Sequence, residues 1–150
     1  MTGGDSLNRL ALSATVHCLT GCAIGEVLGM VLGGIRGWST PTTILVSILL
    51  AFLFGYSLTM RPLLGSGLSL ARSARLALMA DTVSIGVMEL VDNLVMVLIL
   101  GAMAASPASG RFWISLGFSL VLAGVAAYPV NRWLIARGRG HAVVHHHHAH

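Results

Sequence analysis

Lysine is absent from this chain, and charge of either sign is scarce. All nine basic residues are Arg, there are five acids, and charged residues make up 9% of 150 positions. A soluble domain usually carries about 25%. A chain 55% hydrophobic, with a mean hydropathy of +0.84, cannot cover itself with polar surface, so lipid is its expected solvent. Cysteine is nearly absent too, and Cys18 and Cys22 are too few for a disulfide framework. Short alternating segments of the kind that build a transmembrane barrel are missing. So is any nucleophile–base pair, phosphate loop or zinc-protease motif, which makes an enzyme the least expected class. The pI near 10.1 reads as membrane topology and not as a nucleic-acid surface.

What the chain does have is length in its apolar runs. Four are long enough to cross a hydrocarbon core of about 30 Å as helices. They run about Leu10 to Ile35, Thr43 to Leu64, Ala74 to Met103 and Phe112 to Ile135. The expected fold is all-α, a four-helix transmembrane bundle of two helical hairpins. It divides the chain into an N-terminal cytoplasmic segment (1–9), the bundle (10–135) and a His-rich cytoplasmic tail (136–150), expected to be disordered. Tyr56…Arg61-Pro62 and Tyr128-Pro129…Arg132 end the second and fourth runs alike, as two similar hairpins or as a coincidence of composition.

Arginine placement orients the chain. Arg9, Arg61, Arg72, Arg75, Arg132, Arg137 and Arg139 fall on the side of the termini, against Arg36 and Arg111 on the other. The positive-inside rule then puts both termini in the cytoplasm, with Trp38 and Trp113 at the outer interface and Trp133 at the inner one. This places the chain in the cytoplasmic (inner) membrane as a multi-pass protein, with the lipid bilayer as its first partner and a homo-oligomer or a membrane partner as its second. Leu19-Thr20-Gly21-Cys22 resembles a lipoprotein cleavage box. The sequence after it continues as apolar helix, and His17 interrupts the stretch before it, so a signal peptide is a poor fit. Six of seven histidines lie in His141–His150, either a solvated end or a tract able to bind divalent metal.

The chemistry lies inside the spans. Four of the five acids, Glu26, Asp81, Glu89 and Asp92, are intramembrane, where each costs roughly 2.5–3.5 kcal/mol on insertion scales. Every Arg sits near a span end, so the acids must be protonated, face water or hold a cation. With Asp81 as zero, helical geometry puts Met88 at about 340°, Asp92 at about 20°, Met103 at about 40°, Met96 at about 60° and Glu89 at about 80°. Val83, Val87, Leu90, Val91 and Leu94 take the opposite, lipid-facing side. On the first span, Gly21, Gly25, Gly29 and Gly33 form a small-residue ridge suited to close helix packing. Beside it stand His17, Cys18, Cys22 and Glu26. Equal depth predicts an inner layer of His17, Cys18 and Asp81, and a central layer of Glu26, Glu89 and Asp92. Thiol, imidazole, carboxylate and thioether together fit a transition metal, copper or zinc. The candidate ligands are His17, Cys18, Cys22, Glu26, Asp81, Met88, Glu89, Asp92 and Met96. Buried cysteines that serve only as small apolar residues are the plainer alternative.

The run His17-Cys18-Leu19-Thr20-Gly21-Cys22-Ala23-Ile24-Gly25-Glu26 resembles the opening signature of an uncharacterised family of bacterial membrane proteins, classed only as a domain of unknown function. Phe54-Gly55-Tyr56-Ser57-Leu58-Thr59-Met60-Arg61-Pro62, Met88-Glu89-Leu90-Val91-Asp92-Asn93 and Asn131-Arg132-Trp133-Leu134-Ile135 look like the same family. The resemblance spans about Ala11 to His141 and implies a four-helix membrane protein without adding a mechanism. Three functions stay open: binding or transport of a cation, an accessory or structural membrane subunit, and a proton relay through Glu26, Glu89 and Asp92.

Overall fold

The computed structural model describes residues 3–99 and 101–137. They form four helices and no strand: α1 (Gly3–Arg36), α2 (Thr40–Gly65), α3 (Leu70–Leu98) and α4 (Gly110–Ala136). At about 1.5 Å per residue, each exceeds the hydrocarbon thickness. Helices α1, α2 and α4 are long and apolar enough to cross a membrane. Helix α3, at 29 residues, is longer than α2 and α4, with its apolar character interrupted by Asp81, Glu89 and Asp92. The chain is a multi-pass membrane protein whose second hairpin carries a polar helix. The His-rich tail lies outside the described residues.

Local signals start and stop the helices. Pro41 occupies the first turn of α2, where its missing N–H costs nothing. Ser69 and Ser109 cap α3 and α4 by accepting the Arg72 and Phe112 backbone N–H groups. Gly37, at φ 63°, turns the chain sharply from α1 into α2. The expectation that the third helix reaches Met103 is corrected. Helix α3 ends at Leu98, Ile99 is extended, and Gly101 takes φ 77°. A residue in that left-handed conformation cannot continue a right-handed helix. Helix α1 begins at Gly3, seven residues before the span start read from hydropathy.

The helices pack most extensively as the hairpins α1–α2 and α3–α4, and these are joined through α1–α4 and α2–α3. Helices α1 and α3 also touch across the diagonal. Because α1 and α3 run in the same direction, residues of matching depth meet across that diagonal.

The α1–α2 contact is a zipper with a period of four. A side-chain carbon on Gly21 would stand 2.7 Å from the Gly55 Cα, and one on Gly25 would fall within the Ala51 backbone. Gly29 opposes Ser47, and Gly33 opposes Thr43. The glycine ridge therefore has a counterpart on α2, Thr43-Ser47-Ala51-Gly55-Thr59, all buried. Small residues on both helices let the backbones approach closely.

Candidate functional site

A second ridge on α1, one residue along from the glycines, faces the bundle axis: Ala14, Cys18, Cys22, Glu26 and Met30, all buried. From α3, Asp81, Ser84, Met88, Glu89, Asp92 and Asn93 are buried; from α4, Ser115, Ser119 and Asn131. The two ridges of α1 divide the work: glycines receive α2, and side chains with polar atoms meet α3.

These groups form a column of pairs along the axis. Nearest the terminal end, Asn131 Nδ2 donates to Thr15 Oγ1 at 3.0 Å. About half a turn further in, His17 Nε2 is 3.0 Å from Thr59 Oγ1. The Thr59 hydroxyl also lies against the Asp81 carboxyl. The Cys18 thiol donates to Asp81 Oδ1 at 3.7 Å, with Ser84 beside it. One turn deeper, Cys22 Sγ is 4.0 Å from Met88 Sδ and adjoins the Glu89 carboxyl. Deeper still, Glu26 lies within electrostatic reach of Asp92 and Glu89. Ser119 Oγ donates to Asp92 Oδ1 at 2.5 Å, and Asn93 Nδ2 donates to Glu89 Oε2 at 3.3 Å.

Partners do not saturate the carboxyls. Both oxygens of Glu26, Oε1 of Glu89 and Oδ2 of Asp92 are buried with no hydrogen-bond partner. Each carboxylate oxygen can accept more than one hydrogen bond, and buried polar atoms are normally satisfied. The column thus holds spare acceptor capacity in its central layer.

Apolar packing closes both ends. Towards the termini lie Ala11, Ala14 and Ile135 in one cluster and Leu63, Leu76 and Ala80 in another. At the other end Met30, Met96, Phe112 and Leu116 pack together with Met103. Beyond Met30 opens a cleft of about 520 Å³ between the α1–α2 turn and the α3–α4 loop, also lined by Gly33, Trp38, Thr43, Met103 and Pro107.

The structure brings His17, Cys18 and Asp81 into one layer and Glu26, Glu89 and Asp92 into the next, with Cys22 and Met88 between them. Met96 is separate, in the apolar end cluster. The nine candidate ligands do not form one coordination shell. Among the described residues, no three of His, Cys, Asp and Glu converge where a metal ion could sit. They are spread over several turns, and Asp81 and Asp92 alone stand about 16 Å apart along α3. The α3 face is also wider than the expected sector. Ser84 and Asn93 are buried on it, while Val87 and Val91, expected to face lipid, pack against the core.

Thr59, Ser84, Asn93 and Ser119 were not singled out from the sequence. Thr59 had a signal, the period-four run of small residues on α2. Asn93 had a weaker one, one turn after Glu89. Ser119 had none, because one serine in an apolar helix is common.

The chain matches the family described as "Domain of unknown function (DUF4396)" over residues 8–140. No curated protein and no solved structure matches it.

Proposed function

The chain belongs to that family, which carries no activity to transfer, and from its own residues we propose that it handles protons within the membrane. The observation that carries this reading is the central layer. Glu26, Glu89 and Asp92 gather inside the bundle with spare acceptor oxygens. Chains of acids, hydroxyls and imidazole inside membrane helices are what proton relays are built from. His17, Thr59 and Asp81 extend the chain of groups towards the terminal end. The cleft beyond Met30 brings solvent to within about one turn of Glu26 along α1. Paired contacts favour a proton over a metal, which needs several ligands around one point. On this reading the protein sits in a bacterial inner membrane with its termini cytoplasmic, supported by seven Arg residues against two.

A soft cation such as Cu(I) is the second reading, favoured by one observation. Cys22 Sγ and Met88 Sδ lie 4.0 Å apart, and thiolate with thioether is a donor set that selects Cu(I).

Reconstitution into vesicles with a trapped pH indicator separates the two. Under the proton reading, Glu89→Gln lowers proton flux by about a hundredfold or more, the lower part of the range for losing a proton-transfer group. The Cys18→Ser/Cys22→Ser double variant behaves like the parent. Under the metal reading the double variant loses tight Cu(I) binding. If neither set of variants differs from the parent, the accessory-subunit reading takes their place. Reporter fusions at Arg137 check orientation, and activity only on the outer side would reverse it.

A further inference from the structure

Glu89 borders more than the axial column. On the lipid-facing side between α2 and α3 runs a groove of about 420 Å³, with walls that include Phe52, Leu90 and Leu94. Gly86 opens it: a side-chain carbon there would meet nothing within 4 Å. Its polar lining is Glu89 and Asn93, which are 3% and 7% exposed. Asn93 spends its amide N–H on Glu89, on the backbone oxygen at 2.9 Å and on Oε2 at 3.3 Å. Glu89 Oε1 and Asn93 Oδ1 remain buried acceptors without a hydrogen-bond partner, and the Cys22 thiol adjoins the Glu89 carboxyl from the column.

Two unpartnered acceptors, one of them an acid, on buried residues that line an apolar groove open to hydrocarbon define a ligand by complementarity. It must be apolar enough to arrive through lipid, and it must end in a hydrogen-bond donor. A neutral head such as an alcohol supplies a donor but neither takes the Glu89 proton nor offers a counter-charge once that proton has left. An ammonium head supplies both, and charge-assisted hydrogen bonds are the stronger ones. We propose that this groove binds an apolar amine, held as an ammonium between Glu89 Oε1 and Asn93 Oδ1. The amine enters neutral from the bilayer. The Glu89 O–H bond breaks, an N–H bond forms on the amine, and an ammonium–carboxylate pair remains. When the amine arrives already charged, the Glu89 proton passes into the column. The proposal deepens the proton-handling reading and rests on it, because one carboxyl serves proton and amine in turn.

The test uses the full chain in phosphatidylcholine vesicles and a lipid-soluble carbodiimide, which modifies carboxyls reachable from hydrocarbon. The adduct at Glu89 is measured by mass spectrometry. N,N-dimethyloctylamine is the probe, and octan-1-ol at equal membrane concentration is the control. At about ten times its Kd the amine lowers Glu89 labelling roughly tenfold by occupancy, and the alcohol does not. Gly86→Leu, which fills the groove where the glycine leaves room, removes both labelling and protection. An unlabelled Glu89, equal protection by the alcohol, or an unchanged Gly86→Leu protein would each overturn the groove site. The two proposals fail separately: amine protection without proton flux in the parent sinks the relay and keeps the groove, whereas flux without protection sinks the groove alone.

Discussion

The two hairpins share a topology and differ in what holds them. In α1–α2 the backbones touch: four glycines face Gly55, Ala51, Ser47 and Thr43 with no room for another carbon. In α3–α4 no glycine is so placed. Gly86, Gly110 and Gly117 have open space where a side chain would begin. The named polar contact there is the Ser119–Asp92 hydrogen bond. One hairpin is fixed by shape, which tolerates almost no change. The other carries groups whose hydrogen-bonding capacity is not used up. Helix α1 takes part in both, with its glycines in the tight hairpin and Cys18, Cys22 and Glu26 turned to the acids of α3. The resemblance between their ends, Tyr56…Arg61-Pro62 and Tyr128-Pro129…Arg132, does not extend to their packing.

Substitutions can break this contrast. The largest effect is expected from Gly25→Leu. Overpacking typically costs about 1–3 kcal/mol and more where backbone stands in the way, so little folded protein should be recovered. Normal yield and monodispersity in detergent would mean that the hairpin is looser than described. Gly21→Ala places one carbon 2.7 Å from the Gly55 Cα and should cost about 1–3 kcal/mol by denaturant titration. In the other hairpin, Ser119→Ala leaves Asp92 Oδ1 without its donor and should cost about 1–3 kcal/mol. Its proton flux should change as well, which the glycine variants that still fold would not show. The smallest effect is expected from Gly117→Ala. No atom lies in its way, and the gain in helix propensity is at most about 1 kcal/mol. A large loss there would reveal a partner seated on α4.

Much of the fold was legible because lipid imposes a simple rule: a run of about 20 apolar residues is a helix. The end of α3 was not, because hydropathy continues through Leu100 and Met103 while the backbone turns at Gly101. The acids were legible as a group, since burial of Glu26, Asp81, Glu89 and Asp92 follows from their cost in hydrocarbon. Their pairing was not. Angular sectors rank residues on one helix and do not say which residue of another helix stands opposite. That depends on the register of α3 against α1 and α4, which sets Cys18 beside Asp81, Cys22 beside Met88 and Ser119 beside Asp92. Met96 shows the consequence. It shares a sector with Asp92 and Glu89, yet it lies one turn too far along α3 and joins Met30 and Phe112 in the apolar end layer.

The short link between α1 and α2, residues 37–39, bears on how the protein enters its membrane. Each acid near the centre of an inserting helix weighs about 2.5–3.5 kcal/mol against partitioning into lipid, and α3 carries three. Helices α1 and α2 emerge from the ribosome first, apolar enough to insert unaided, and the tight turn lets them lock together before α3 is complete. The locked pair then presents Cys18, Cys22 and Thr59 to the arriving helix, while Ser119 follows on α4. On this order of events the glycine zipper doubles as a docking template, and variants that open it are expected to lower the fraction of chains whose α3 is inserted, measured by glycosylation or protease mapping of the loop after α3.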